Sequence, residues 1–156
     1  MSVAEQAVDE ARDWCGTPYR HQASLKNIGA DCLGLLRGLY RFLYGHEAEY
    51  PPAYAAFGAV GENELLLAAA HHYLHPIKIP PHSRPAAGHV LLFRLRRNLP
   101  VRHVGIATGA EHMVHALSGV GVCEVPLTDW WLRHCAGQFA FPAKSKNMAV
   151  QGRSYE

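Results

Sequence analysis

Asp31-Cys32-Leu33-Gly34-Leu35-Leu36-Arg37-Gly38-Leu39 opens an amphipathic helix with a cysteine in its first turn. Leu35, Leu36, Leu39 and Leu43 recur at helical period, Asp31 suits the N-cap, and Gly45 suits the terminator. The unpaired N–H groups and the dipole of a helix start favour negative charge. The Cys32 thiol is therefore expected to ionise below its ordinary pKa of roughly 8.5. Downstream, His103 and His115 fall on stretches of β pattern. A helix-start cysteine with distant histidines points to a nucleophile served by a base and by a group that orients the base.

Upstream of this helix, Ser2 and Glu5 have capping-box spacing, and Ala4, Ala7, Val8, Ala11, Trp14 and Cys15 keep a helical period until Gly16. Thr17-Pro18-Tyr19 is extended, because the residue before a proline is pushed out of the α region, and 20–30 reads as a loop. Beyond it, 46–61 with Pro51-Pro52 is irregular and 62–74 reads as a third helix. After Pro85 the pattern turns to β over 90–95, 101–108, 113–117, 120–125 and 138–141. Short turns between these runs imply an antiparallel sheet. Thr128-Asp129 caps a short helix through Trp130, Trp131 and Leu132, and 143–156 is a polar tail without periodicity. The expectation is one α+β domain over residues 1–142 and a flexible tail over 143–156.

The chain has 156 residues, 49% apolar and 18% charged, which is a globular composition. A net charge of +2, with scattered Arg and Lys, gives no footprint for nucleic acid, although eleven histidines make the chain more positive in mild acid. Four cysteines without a C-x-x-C pair read as neither a disulfide scaffold nor a zinc knuckle. No apolar run reaches the roughly 18 residues of a membrane span, and the N-terminus lacks the features of a signal peptide. Synthesis in a reducing cytoplasm, with no membrane insertion, is the expectation.

A helix-borne cysteine followed by an antiparallel sheet carrying a histidine is the order of a papain-like α+β domain. Gly16-Thr17-Pro18-Tyr19, Asp31-Cys32-Leu33-Gly34-Leu35, Gly88-His89-Val90-Leu91-Leu92-Phe93, His103-Val104-Gly105-Ile106 and Val114-His115-Ala116 together resemble the NlpC/p60 cell-wall cysteine peptidases. The resemblance covers residues 10 to about 142. The Arg20-His21-Gln22 loop and the Tyr44-Gly45 helix end are similar to phage-encoded or gene-transfer-agent members that act with a tail.

The resemblance implies Cys32 as nucleophile, His103 as general base and His115 as the third residue that orients it. His103 and His115 stand twelve residues apart on successive strands, so antiparallel pairing can set them side by side. The Cys32 N–H and the Tyr19 hydroxyl would meet the oxyanion, and Asp31 would cap the helix or help bind substrate. The implied substrate is the peptidoglycan stem, at the bond between γ-D-glutamate and diaminopimelate, cut without metal or cofactor. Implied partners are phage-like tail or baseplate proteins, which would carry the enzyme to the periplasmic cell wall. His89 departs from the family, standing where many members have aspartate, and a surface or packing difference is expected there.

Blander readings apply elsewhere. His71 and His75 have zinc-peptidase spacing, but His72 stands where that motif needs glutamate, so His71, His72 and His75 read as a solvated helix end. Cys15, Cys123 and Cys135 read as packing residues, and Trp130-Trp131 as core or sheet cover in preference to a glycan platform. Two rivals stay open: an amidase or acyltransferase using the same Cys-His-His groups, and a structural tail component with little hydrolytic role.

Overall fold

A computed structural model describes residues 1–48, 64–80 and 82–144. Helix α1 (Val3–Asp13) starts at Ser2, whose hydroxyl accepts the Glu5 N–H at 3.0 Å, and it buries Ala7, Val8 and Ala11. The chain then leaves through Gly16 at a positive φ and runs beside Val122. Gly16 N–H donates to the Val122 carbonyl, and Val122 N–H donates to the Thr17 carbonyl, both at 2.9 Å. The Pro18 carbonyl accepts the Ala30 N–H at 3.0 Å. Gly16-Thr17-Pro18-Tyr19 is thus a strap between the sheet and the loop that precedes Cys32.

That loop holds a structure the sequence reading missed, the hairpin of β1 (Ser24–Leu25) and β2 (Gly29–Ala30). Two residues per strand are too few to show alternation, and the turn rests on Asn27 at φ 68°. Helix α2 (Cys32–Tyr44) follows, with Gly45 in the left-handed region at its end. The hairpin lies tight against it, because a Cβ on Gly34 would stand 1.8 Å from the Ala23 carbonyl oxygen. Glycine there permits the approach.

Helix α3 (Leu65–Tyr73) leads into β3 (His75–Pro76). Its expected start at 62–63, most of the irregular 46–61 segment and most of the 143–156 tail lie outside the described residues. Strands β4 (Val90–Phe93), β5 (His103–Ala107), β6 (His112–Leu117) and β7 (Gly121–Pro126) form the expected antiparallel meander. Helix α4 (Asp129–His134) then returns the chain to β8 (Cys135–Ala140). The sheet order is β3-β8-β4-β5-β6-β7. Strand β8 therefore pairs with β4 on the far side of the meander and begins three residues before the expected start, across a bulge at Leu92/Phe93.

Alternation along the strands divides the interior into two. Val90, Leu92, Val104, Ile106, Val114 and Ala116 join Leu35 and Leu39 of α2, while Leu91, Phe93, Ala107 and Met113 pack with Leu127 and Trp131. Leu35 and Leu39 are fully buried, each worth roughly 1.5–3 kcal/mol, so α2 is fixed on the sheet. No helix among the described residues is long and apolar enough to cross a membrane.

Candidate active site

Strand β5 pairs with β4 as far as His103 but with β6 only at Ile106 and Ala107. The β6-facing edge of β5 is therefore open at its start, and the first turn of α2 meets it there. The Cys32 thiol donates to the Arg102 carbonyl at 3.7 Å, one residue before His103. Across the same opening, His103 Nε2 and His115 Nδ1 are 2.9 Å apart. The structure thus brings together the three residues named from sequence. His115 is 1% exposed, and its Nε2 has no hydrogen-bond partner among the described residues. Gly105 keeps the neighbourhood compact, since a Cβ there would stand 2.5 Å from Met113 Sδ.

The expected depression of the Cys32 pKa is overturned. Burial pushes the thiol up to about 11, and the adjacent Asp31 carboxylate adds to the rise. Backbone hydrogen bonds at Val104, Leu33 and Cys32 oppose this without cancelling it. The helix start does attract negative charge, but Asp31 already places one there. His103 moves the other way, held down at about 3 by burial and by its neighbour His115. Thiol and imidazole are both neutral at rest, and the proton must pass between them during attack.

This has a consequence for folding. Below pH 6.5 the unfolded chain binds a proton on His103 that the folded chain refuses until about pH 3. Protons therefore favour unfolding across that window, by up to about 1.4 kcal/mol per pH unit for one such group. His103→Gln removes this component, so its urea midpoint is expected to fall less than the parent's between pH 7 and pH 4.5. Equal losses in the two proteins would show that His103 is not held neutral by the fold.

Asp31 is 3% exposed, and both its oxygens are engaged. Oδ1 accepts the Gly34 N–H and Oδ2 the Gln22 N–H, each at 2.7 Å, with His21 Nδ1 3.8 Å from Oδ2. The side chain joins helix cap to loop. Asp31→Asn sets an amide N–H against one of these donors and is expected to cost about 1–3 kcal/mol, read as a lower urea midpoint. The same variant removes a charge that raises the Cys32 pKa, so its thiol is expected to titrate lower by alkylation rate against pH. Tyr19 is half-buried, and its ionisation is opposed by burial, then by Asp31 and Cys32 beside it. Its hydroxyl has no hydrogen bond among the described residues, and the Cys32 N–H, first in α2, has no acceptor within the helix. Both are donors placed near the nucleophile.

Sequence reasoning missed Trp131. It covers the sheet as expected, but its ring also stacks on His103 (centroids 5.5 Å, 26° between planes) and stands perpendicular to His115 (5.3 Å, 89°). Nothing in the local sequence of α4 signals that contact, which depends on the long-range return to β8. His89 proves to be a tie to β8, its Nδ1 lying 3.0 Å from the Gln138 carboxamide oxygen. His71 and His72 end α3 and His75 opens β3, all exposed, so the helical spacing of a zinc pair is broken at Tyr73. Cys15 packs on the larger core cluster and Cys135 on the smaller.

No family model and no curated protein matches the chain. Solved structures do share its architecture. The NlpC/p60 domain of the peptidoglycan hydrolase SagA superposes with a TM-score of 0.63 at 21% identity, over 88% of this chain and 98% of that one. An NLP/P60-family protein of Staphylococcus aureus, similar to a lipoprotein, gives 0.61 at 20% identity, over 91% of this chain and 42% of its own. NlpC2 of Trichomonas vaginalis gives 0.62 at 18% identity, over 92% and 48%. The chain spans less than half the length of the latter two. Identities this low establish the fold, a papain-like arrangement of helices on an antiparallel sheet as in NlpC/p60 domains.

Proposed function

We propose that the chain is an NlpC/p60-type cysteine peptidase that cuts the peptide stems of bacterial peptidoglycan. The bond would be the amide between γ-D-glutamate and diaminopimelate, reached at the periplasmic cell wall with a phage-like or gene-transfer-agent tail. The observation that carries the peptidase reading is the wedge of Cys32 against the start of β5, beside a His103–His115 pair at 2.9 Å. The five sequence motifs support the substrate, and the Arg20-His21-Gln22 loop and the Tyr44-Gly45 helix end support the tail association.

In this reading the thiol turns from the Arg102 carbonyl to His103, which takes its proton as sulfur bonds to the stem carbonyl. The Cys32 N–H and the Tyr19 hydroxyl receive the oxyanion. Collapse breaks the C–N bond, His103 returns the proton to the leaving amine, and a thioester remains. Water then adds with its proton passing to His103, the C–S bond breaks, and the thiolate recovers the proton. Every group required belongs to this chain.

Mass analysis of muropeptides after incubation with purified sacculi tests the reading. The expected products are stems ending in γ-D-glutamate and fragments with a new diaminopimelate amine, absent with Cys32→Ala. Stems released whole from glycan would favour an amidase, stems joined to an added amine a transferase, and unchanged sacculi a structural role. Detection of the chain in purified tail particles tests the second part of the proposal, and its absence from them would remove that part.

A further inference from the structure

Two proton arrangements fit the 2.9 Å contact between His103 Nε2 and His115 Nδ1. If His103 donates, its Nδ1 is bare and able to take the thiol proton, and neutral His115 carries its hydrogen on Nε2. If His115 donates, neutral His103 carries its hydrogen on Nδ1 and is no base, and His115 Nε2 is bare. The state of His115 Nε2 therefore decides whether the pair is competent. That nitrogen is buried without a conventional partner among the described residues. Besides His103, at 5.1 Å and 84°, a second ring stands perpendicular to His115: the indole of Trp131, at 5.3 Å and 89°.

We propose that Trp131 is a positioning residue, whose indole selects the arrangement with hydrogen on His115 Nε2 and steadies the charge that His103 gains during attack. An aromatic face carries negative potential, so it attracts an N–H edge and repels a lone pair. It also attracts a cation within about 6 Å, and His103 lies stacked 5.5 Å from the same residue. Burial makes an imidazolium at His103 costly, so a π face there offsets part of that cost. Trp131 is itself held in place, packed at 4.9 Å and 63° against Phe93 of β4 and against Trp130 at 5.0 Å and 89°. Its effect on the nucleophile passes through the two histidines.

The inference rests on His103 being the base, and its test uses no cell-wall substrate, so failure of the stem-cleavage reading is a separate result. Long-range nitrogen–proton NMR of the full chain reports which ring nitrogens carry hydrogen. The expected result is hydrogen on Nε2 and a bare Nδ1 in both His103 and His115. Trp131→Phe, which keeps a π face, should retain that pattern. Trp131→Leu should show mixed tautomers and an alkylation rate of Cys32 by iodoacetamide reduced about tenfold, against less than about threefold for Trp131→Phe. A bare His115 Nε2 in the parent would overturn the proposal, as would a Trp131→Leu protein with the parental pattern and rate. Should Trp131→Leu fail to fold, the ring assignment in the parent decides alone.

Discussion

Cys32→Ala is expected to lower hydrolysis of stem peptides by at least about 10⁴-fold and to leave the fold intact. The loss follows from geometry, since Cys32 is the cysteine that meets the start of β5, and Cys15, Cys123 and Cys135 occupy other elements. The intact fold follows from packing. Cys32 is half-buried at the first turn of α2, while the helix is anchored by Leu35 and Leu39 and capped by Asp31. Removing one sulfur atom there forfeits little. Cys32→Ser should be nearly as inactive, because an alcohol holds its proton more tightly than a thiol and His103 is a weak base in this site. Turnover, circular dichroism and urea midpoints measure the two claims separately. In the parent, iodoacetamide followed by peptide mapping should show activity lost in step with alkylation of Cys32. Residual activity above about 1% in Cys32→Ala, or inactivation that tracks another cysteine, would remove Cys32 from the chemistry.

The frame of the site was legible in sequence where local rules act. Asp31 caps, the leucines of α2 share a face, and short turns order the strands from β4 to β7, whereas the roles given to Cys32, His103 and His115 rested on resemblance. What was not legible depends on contacts remote in the chain. The return of β8 to β4 sets the sheet order, and with it the place of α4, which is why Trp131 was read only as cover. The β1–β2 hairpin was hidden by its shortness, although Gly34 records it in the one position where a Cβ would strike the Ala23 carbonyl. The protonation of Cys32 was misjudged for a different reason. The helix-start argument counts only the attraction of N–H groups for charge, whereas the site adds desolvation and an Asp31 carboxylate already occupying that attraction.

His103→Ala is expected to lose about 10³–10⁴-fold in turnover, and His115 variants are expected to divide according to what they can accept. In the competent arrangement His115 Nδ1 is a hydrogen-bond acceptor for His103 Nε2–H, 2.9 Å away, and exchanges no proton with the substrate. Asparagine offers a carbonyl oxygen in nearly the same place and so keeps both the ring orientation and the tautomer. Alanine offers nothing, and leaves a cavity beside a ring that is then free to rotate. His115→Ala should therefore fall by about 10²-fold, while His115→Asn stays within about tenfold of the parent. The split should lie in kcat, since the third residue does not touch the substrate. It should appear as well in alkylation of Cys32, which requires the same bare His103 Nδ1 because the resting thiol is neutral. Packing works in the same direction, because at 1% exposure alanine empties more of the buried volume than asparagine does. Equal activity of His115→Ala and the parent would assign the orienting role to another residue. Equal impairment of His115→Ala and His115→Asn would mean that His115 acts through its ring and not through an accepted hydrogen bond, and the proton arrangement drawn from the 2.9 Å contact would fail with it.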